Sequence, residues 1–143
     1  MEMICANGHL FEGADVSGGY GEFVMRGESS PTPCFLDALE DAIYTEVENL
    51  LRELGIFENL DRSEEAAVLQ EFFGLACDPA PDGTVLKIGR NPPCPFCGTH
   101  EMASWKPAGP YSGDQLPVTH QVWSQLSTEQ KRDLFRFLRQ RPA

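Results

Sequence analysis

Basic residues are scarce in this sequence. Eleven lysines and arginines stand against 22 acids, a formal net charge of −11. Such a chain repels the phosphate backbone over most of its surface, so nucleic acid is not the expected partner. Long apolar runs are also missing, and no stretch reaches the roughly 20 residues that a membrane-crossing helix needs. The first residues, "MEMICANGHLFE", lack a basic region followed by an apolar core. No secretory signal is therefore expected, and the reading is a cytoplasmic protein without a membrane segment.

Catalytic signatures are lacking as well. There is no His-Glu-x-x-His, no His-x-Glu joined to a Pro-Cys-x-x-Cys, and no nucleophile elbow. "GGYG" at 18–21 is rich in glycine but has no Lys-Ser/Thr to hold a phosphate, and it reads as loop. No repeat or low-complexity tract appears. The expectation is a protein that is not an enzyme.

What is present suffices for one domain over residues 1–143, since 41% of the chain is hydrophobic and 23% charged. The acids cluster. Residues 1–82 hold 18 acids and 3 bases, whereas residues 83–143 hold 4 acids and 8 bases. An acidic segment of this kind attracts and steers a basic partner.

The pattern of apolar residues predicts an α+β fold. "EMI" and "LFE" flank the turn in "CANGH" and form a short hairpin over 2–13, with Asn7-Gly8 suited to positive φ. A short strand is expected at Glu22–Met25. A helix is expected over 33–54, with Thr32 as N-cap and Pro33 at its first position. Its stripe is Leu36, Leu39, Ile43, Val47, Leu50 and Leu54. Asp37, Asp41 and Glu48 fall on another face, and Glu40 and Glu46 join them as a solvated acidic surface. A second helix runs from Ser63 to about Ala76, so residues 32–77 form an acidic helical block. "TVLKIG" at 84–89 and "HEMASW" at 100–105 alternate like the two arms of a hairpin. Residues 106–117 read as loop. Helices close the chain over 118–140: a short one around Val122-Trp123, and a longer one from Ser127, where "STEQ" fits a capping box.

The chemistry sits in the cysteines. In a reducing compartment five cysteines are metal ligands, catalytic thiols or buried apolar groups rather than structural disulfides. Cys94-Pro95-Phe96-Cys97 is a spelling shared by redox dithiols and zinc knuckles. A redox dithiol needs a helix starting at its first cysteine to lower the thiol pKa. Here Gly98 follows, and no helical apolar run does. Zinc needs four N or S ligands in a tetrahedron. Cys5 and His9 supply a second pair, so Cys5, His9, Cys94 and Cys97 are the expected ligands, with no open position for catalysis. His100 is the credible substitute for His9. Cys34 and Cys77 are rivals that read better as core residues, and His120 reads as a capping or surface residue.

On Cys5, Gly8, His9, Phe11, Cys94, Pro95, Cys97 and Gly98 the chain resembles a zinc ribbon with rubredoxin-like knuckles. The resemblance covers residues 2–13 and 84–105. It implies a split ribbon whose halves are joined by a structural zinc, with the 32–77 helices inserted between them. A weaker resemblance, carried by size and acidity, is to small acidic bacterial immunity proteins. It implies a protein partner, a basic toxin, met by Asp37, Asp41 and Glu48. The other functional classes are a nucleic-acid-associated zinc-ribbon factor, resting on the basic last helix, and a redox protein using Cys94 and Cys97.

Overall fold

The computed structural model describes residues 1–13, 21–106 and 116–140. Within them the fold is α+β, as expected, with two small sheets and a helical layer. The loops expected at 18–21 and 106–117 fall for the most part outside the described residues. No helix among the described residues is long and apolar enough to cross a membrane.

The first sheet has the order β2-β1-β6, from β1 (Glu2–Cys5), β2 (Leu10–Glu12) and β6 (Met102–Lys106). The second has the order β5-β3-β4-β7, from β3 (Glu22–Arg26), β4 (Cys34–Asp37), β5 (Lys87–Ile88) and β7 (Leu116–Pro117). Its inner pairs are antiparallel, and β7 joins β4 in parallel. The helices are α1 (Ala42–Glu53), α2 (Arg62–Phe72), α3 (Gln121–Ser124) and α4 (Thr128–Phe135). Short 3-10 segments extend α2 through Ala76 and α4 through Gln140.

The helices cover one face of the second sheet. Met25, Leu36, Val47, Leu51, Phe73, Trp123 and Phe135 share that core. Burial of each such side chain stabilises the fold by about 1.5–3 kcal/mol. Cys34 lies in the same core and Cys77 packs against it, which accounts for both thiols without a ligand role. The capping box expected at Ser127 is present: Gln130 N donates to Ser127 Oγ at 3.1 Å, and Ser127 N to Gln130 Oε1 at 2.8 Å.

The helix expected over 33–54 needs correction. Cys34–Asp37 is the strand β4, a turn follows, and α1 starts at Ala42 with Asp41 as N-cap. Cys34 and Leu36 are buried with a period of two, paired to Met25 and Phe23. Leu39, counted in the helical stripe, is 67% exposed. Leu36 satisfies both templates, and pairing with β3 decides between them. The acidic surface is divided, with Glu46 and Glu48 still part-exposed on α1. Asp37 lies at a strand end, Asp41 caps, and Glu46 bonds to Trp123 and Lys131.

The second expected hairpin also needs correction. "VLKIG" and "EMASW" do not pair with each other. Lys87-Ile88 joins β3, while Met102–Lys106 joins β1. Leu86 explains the divergence. It is 3% exposed in the helical core, and its carbonyl passes so close to Gly74 that a Cβ there would lie 1.7 Å away. Burial of Leu86 pulls the incoming arm away from the first sheet.

Candidate metal centre

Two tight turns build the site. In the first, Gly8 N donates to Cys5 O at 2.9 Å and Cys5 N to His9 O at 2.9 Å. In the second, Gly98 N donates to Cys94 O at 2.8 Å and Cys94 N to Thr99 O at 2.8 Å. Gly8 and Gly98 sit at φ of 90° and 77°, a region that costs other residues energy. The turns therefore share one construction. Sheet pairing brings them together: Cys5 ends β1 opposite Met102, the first residue of β6, and Ala6 N donates to Glu101 O at 2.8 Å.

The ligand atoms of Cys5, His9, Cys94 and Cys97 lie within 4.8 Å of one another and could hold a metal ion. Cys5 Sγ is 3.8 Å from Cys97 Sγ and 3.4 Å from His9 Nδ1. Around a tetrahedral zinc, with bonds of roughly 2.3 Å to sulfur and 2.0–2.1 Å to nitrogen, neighbouring sulfurs sit about 3.8 Å apart and sulfur and nitrogen about 3.6 Å apart. The donor set fits such an ion in type, and the two separations around Cys5 fit its spacing.

Each sulfur also receives N–H donors. His9 N donates to Cys5 Sγ at 3.3 Å, Phe96 N to Cys94 Sγ at 3.4 Å, and Asn7 Nδ2 to Cys97 Sγ at 3.3 Å. Such bonds orient ligands and spread the charge of thiolates. The thiols respond differently. Hydrogen bonding, led by the Asn7 amide, brings Cys97 down to about 6. Burial pushes Cys5 up, yet its bonds with His9 and Asn7 outweigh this and hold it below the ordinary thiol value. Burial raises Cys94. Bonds to Cys97 and Cys5 raise His9.

The rival ligands lie elsewhere. His100 Nδ1 is 2.8 Å from Asn91 O, and Asn91 Nδ2 donates back to His100 O at 3.2 Å. His120, expected as a cap or surface residue, makes no side-chain cap bond and is 10% exposed. Its ring joins Asp41 Oδ2 and Ala76 O, each at 2.7 Å. Asp41 is thus engaged by α1 and His120. Glu48 pairs with Arg52 at 3.7 Å, and Asp37 Oδ1 accepts from Leu39 N. Sequence reasoning missed Asn7 as a donor to the site, although a side-chain amide at a ligand turn is a usable signal. Comparison with family models, with curated proteins and with solved structures finds no match.

Proposed function

We propose that Cys5, His9, Cys94 and Cys97 hold one structural zinc ion and that the protein is a non-enzymatic module that binds a protein partner. The observation that carries the metal reading is the convergence of three sulfurs and one imidazole nitrogen within 4.8 Å. Soft thiolates with an imidazole in a compact tetrahedral set favour zinc. Four protein ligands leave no coordination site for a substrate, so the ion would supply folding energy. It would hold the chain's first turn against a turn near residue 97.

The partner reading rests on charge. The segment 1–82 carries 18 acids and 3 bases, which favours a basic partner such as a toxin, in the manner of an immunity protein. Charge also weighs against the nucleic-acid class. In the last helix Lys131 pairs with Glu46, Arg132 with Glu53, and Arg136 with Glu129 and Asp133. The redox class lacks the helix start that would activate its first cysteine: Cys94 opens a turn, and burial raises its thiol.

The test of the partner reading mixes the purified protein with the purified product of an adjacent toxin gene. A complex that inhibits the toxin and weakens as salt rises supports the reading. No complex at low salt contradicts it.

A further inference from the structure

The two sheets face each other across a cleft of about 310 Å³, the size of a small-ligand site. It falls outside the metal site and outside the partner reading. Side chains alternate along strands, which decides its walls. Met3 and Trp105 are directly paired, so they share a face of the first sheet. Val24 and Arg26 lie on the face of β3 opposite the helical core, and Arg90 borders the cleft just after β5; Ile88, paired with Met25, packs toward the core and edges the cleft. Glu22 also lines the cleft, on the same face of β3 as Val24 and Arg26.

Two features define what would fit. The first is apolar and aromatic. Trp105 is 60% exposed at the cleft, a large flat surface left to water. The second is cationic. Arg26 Nη1 donates to Arg90 O at 2.9 Å, while Arg90 Nη1 donates to Arg26 O and Val85 O, both at 3.3 Å. The two arginines clamp each other's main chain, and both border the cleft. A guanidinium carries five N–H donors, and the bonds of Arg90 use Nη1 alone. Among the described residues no acid forms an ion pair with Arg90. That is a conspicuous position for a cation in a chain with twice as many acids as bases. The larger groove between α1 and α2, about 800 Å³, lacks this asymmetry, since Glu48, Asp61 and Glu65 line it beside Arg52 and Arg62.

We propose that this cleft binds a small aromatic carboxylate, its ring against Trp105 and Met3 and its carboxylate on Arg90. A planar acid matches a guanidinium in a two-bond arrangement, and the ring excludes water from it.

The test uses 2-naphthoate as probe, with 2-naphthalenemethanol as its neutral counterpart, on the whole ¹⁵N-labelled protein. The Trp105 indole and the amides of 22–26 and 88–91 are expected to shift with naphthoate. The alcohol should bind at least about tenfold more weakly, a difference of 1.4 kcal/mol or more. Arg90→Gln should weaken naphthoate by a similar factor and leave the alcohol unchanged. Trp105→Leu should weaken both. Unmoved resonances of α1 and α4 would show that each variant is folded. No shift at those positions at millimolar naphthoate, equal affinity for acid and alcohol, or full binding by Arg90→Gln would each overturn the proposal.

Discussion

His120 Nε2 lies 2.7 Å from Asp41 Oδ2, across 79 positions of sequence. The other carboxylate oxygen of Asp41 accepts from Ile43 N at 2.8 Å and caps α1. One side chain therefore starts a helix and anchors the C-terminal segment to it. Its two roles separate by substitution. Asp41→Asn keeps a capping oxygen and removes the charge, whereas Asp41→Ala removes both. Leaving a largely buried hydrogen-bonding group without its partner costs about 1–3 kcal/mol, and a lost cap costs about 1 kcal/mol. Urea unfolding should rank wild type above Asp41→Asn and Asp41→Asn above Asp41→Ala. Equal stability of the two variants would remove the cap from this explanation.

Asp78 performs a comparable service for α3. It accepts from Thr119 Oγ1 at 2.6 Å, Gln121 N at 2.8 Å and Val122 N at 2.9 Å. Burial alone would raise its carboxyl, but these bonds and the nearby His120 outweigh it and hold the group below the ordinary aspartate value. A carboxyl depressed in the folded state stabilises the fold above its unfolded pKa. That contribution is lost as pH falls through the depressed folded value. Stability measured from neutral pH downward should therefore drop in the acid range, and Asp78→Asn should be less stable near neutrality with a shallower acid limb. Parallel profiles for the two proteins would contradict this.

Glycines separate close approach from backbone strain. A Cβ at Gly74 would lie 1.7 Å from Leu86 O, while one at Gly98 meets nothing within 4 Å. Gly74→Ala must displace main chain inside the core, at a cost of about 3 kcal/mol or more. Gly98→Ala pays only for its positive φ, about 1–2 kcal/mol. Thermal melts should show the first far below the second.

Much of this was legible in the chain, and the failures share a cause. The two knuckles, α2 and the Ser127 capping box rest on local chemistry: turn glycines, a hydrogen-bonding cap, a helical period. The errors fall where distant pairing decided the outcome. "PCFLD" carries both periods, and only β3 makes it a strand. "TVLKIG" alternates as a strand should, but Leu86 commits it to the helical core. His120 stands at the N-cap of α3, one of its two expected places, but its buried ring was not legible because its partner lies 79 positions away. The acidic helix face lost its first part for the same reason, since Asp37 went to β4 while Glu46 and Glu48 stayed on α1.

Ligand substitutions should separate the metal site from its neighbours. Cys5→Ser and Cys97→Ser should lose bound metal, and His100→Ala should retain it, because His100 is held by Asn91 outside the cluster. Asn7→Ala removes the N–H donated to Cys97 and should weaken metal binding about 10–100-fold, the usual cost of losing a bond that supports a ligand. Competition with a chromophoric chelator measures all four. Metal loss in His100→Ala alone would move the fourth ligand.

The most direct measurement is a native mass spectrum beside a denatured one, on protein purified without reductant or chelator. A native mass heavier by one zinc ion, with the metal and the ordered first sheet lost together on chelation, is the predicted result. A metal-free mass two hydrogens lighter than the sequence, from a Cys94–Cys97 disulfide, would contradict the zinc site and return "CPFC" to redox chemistry.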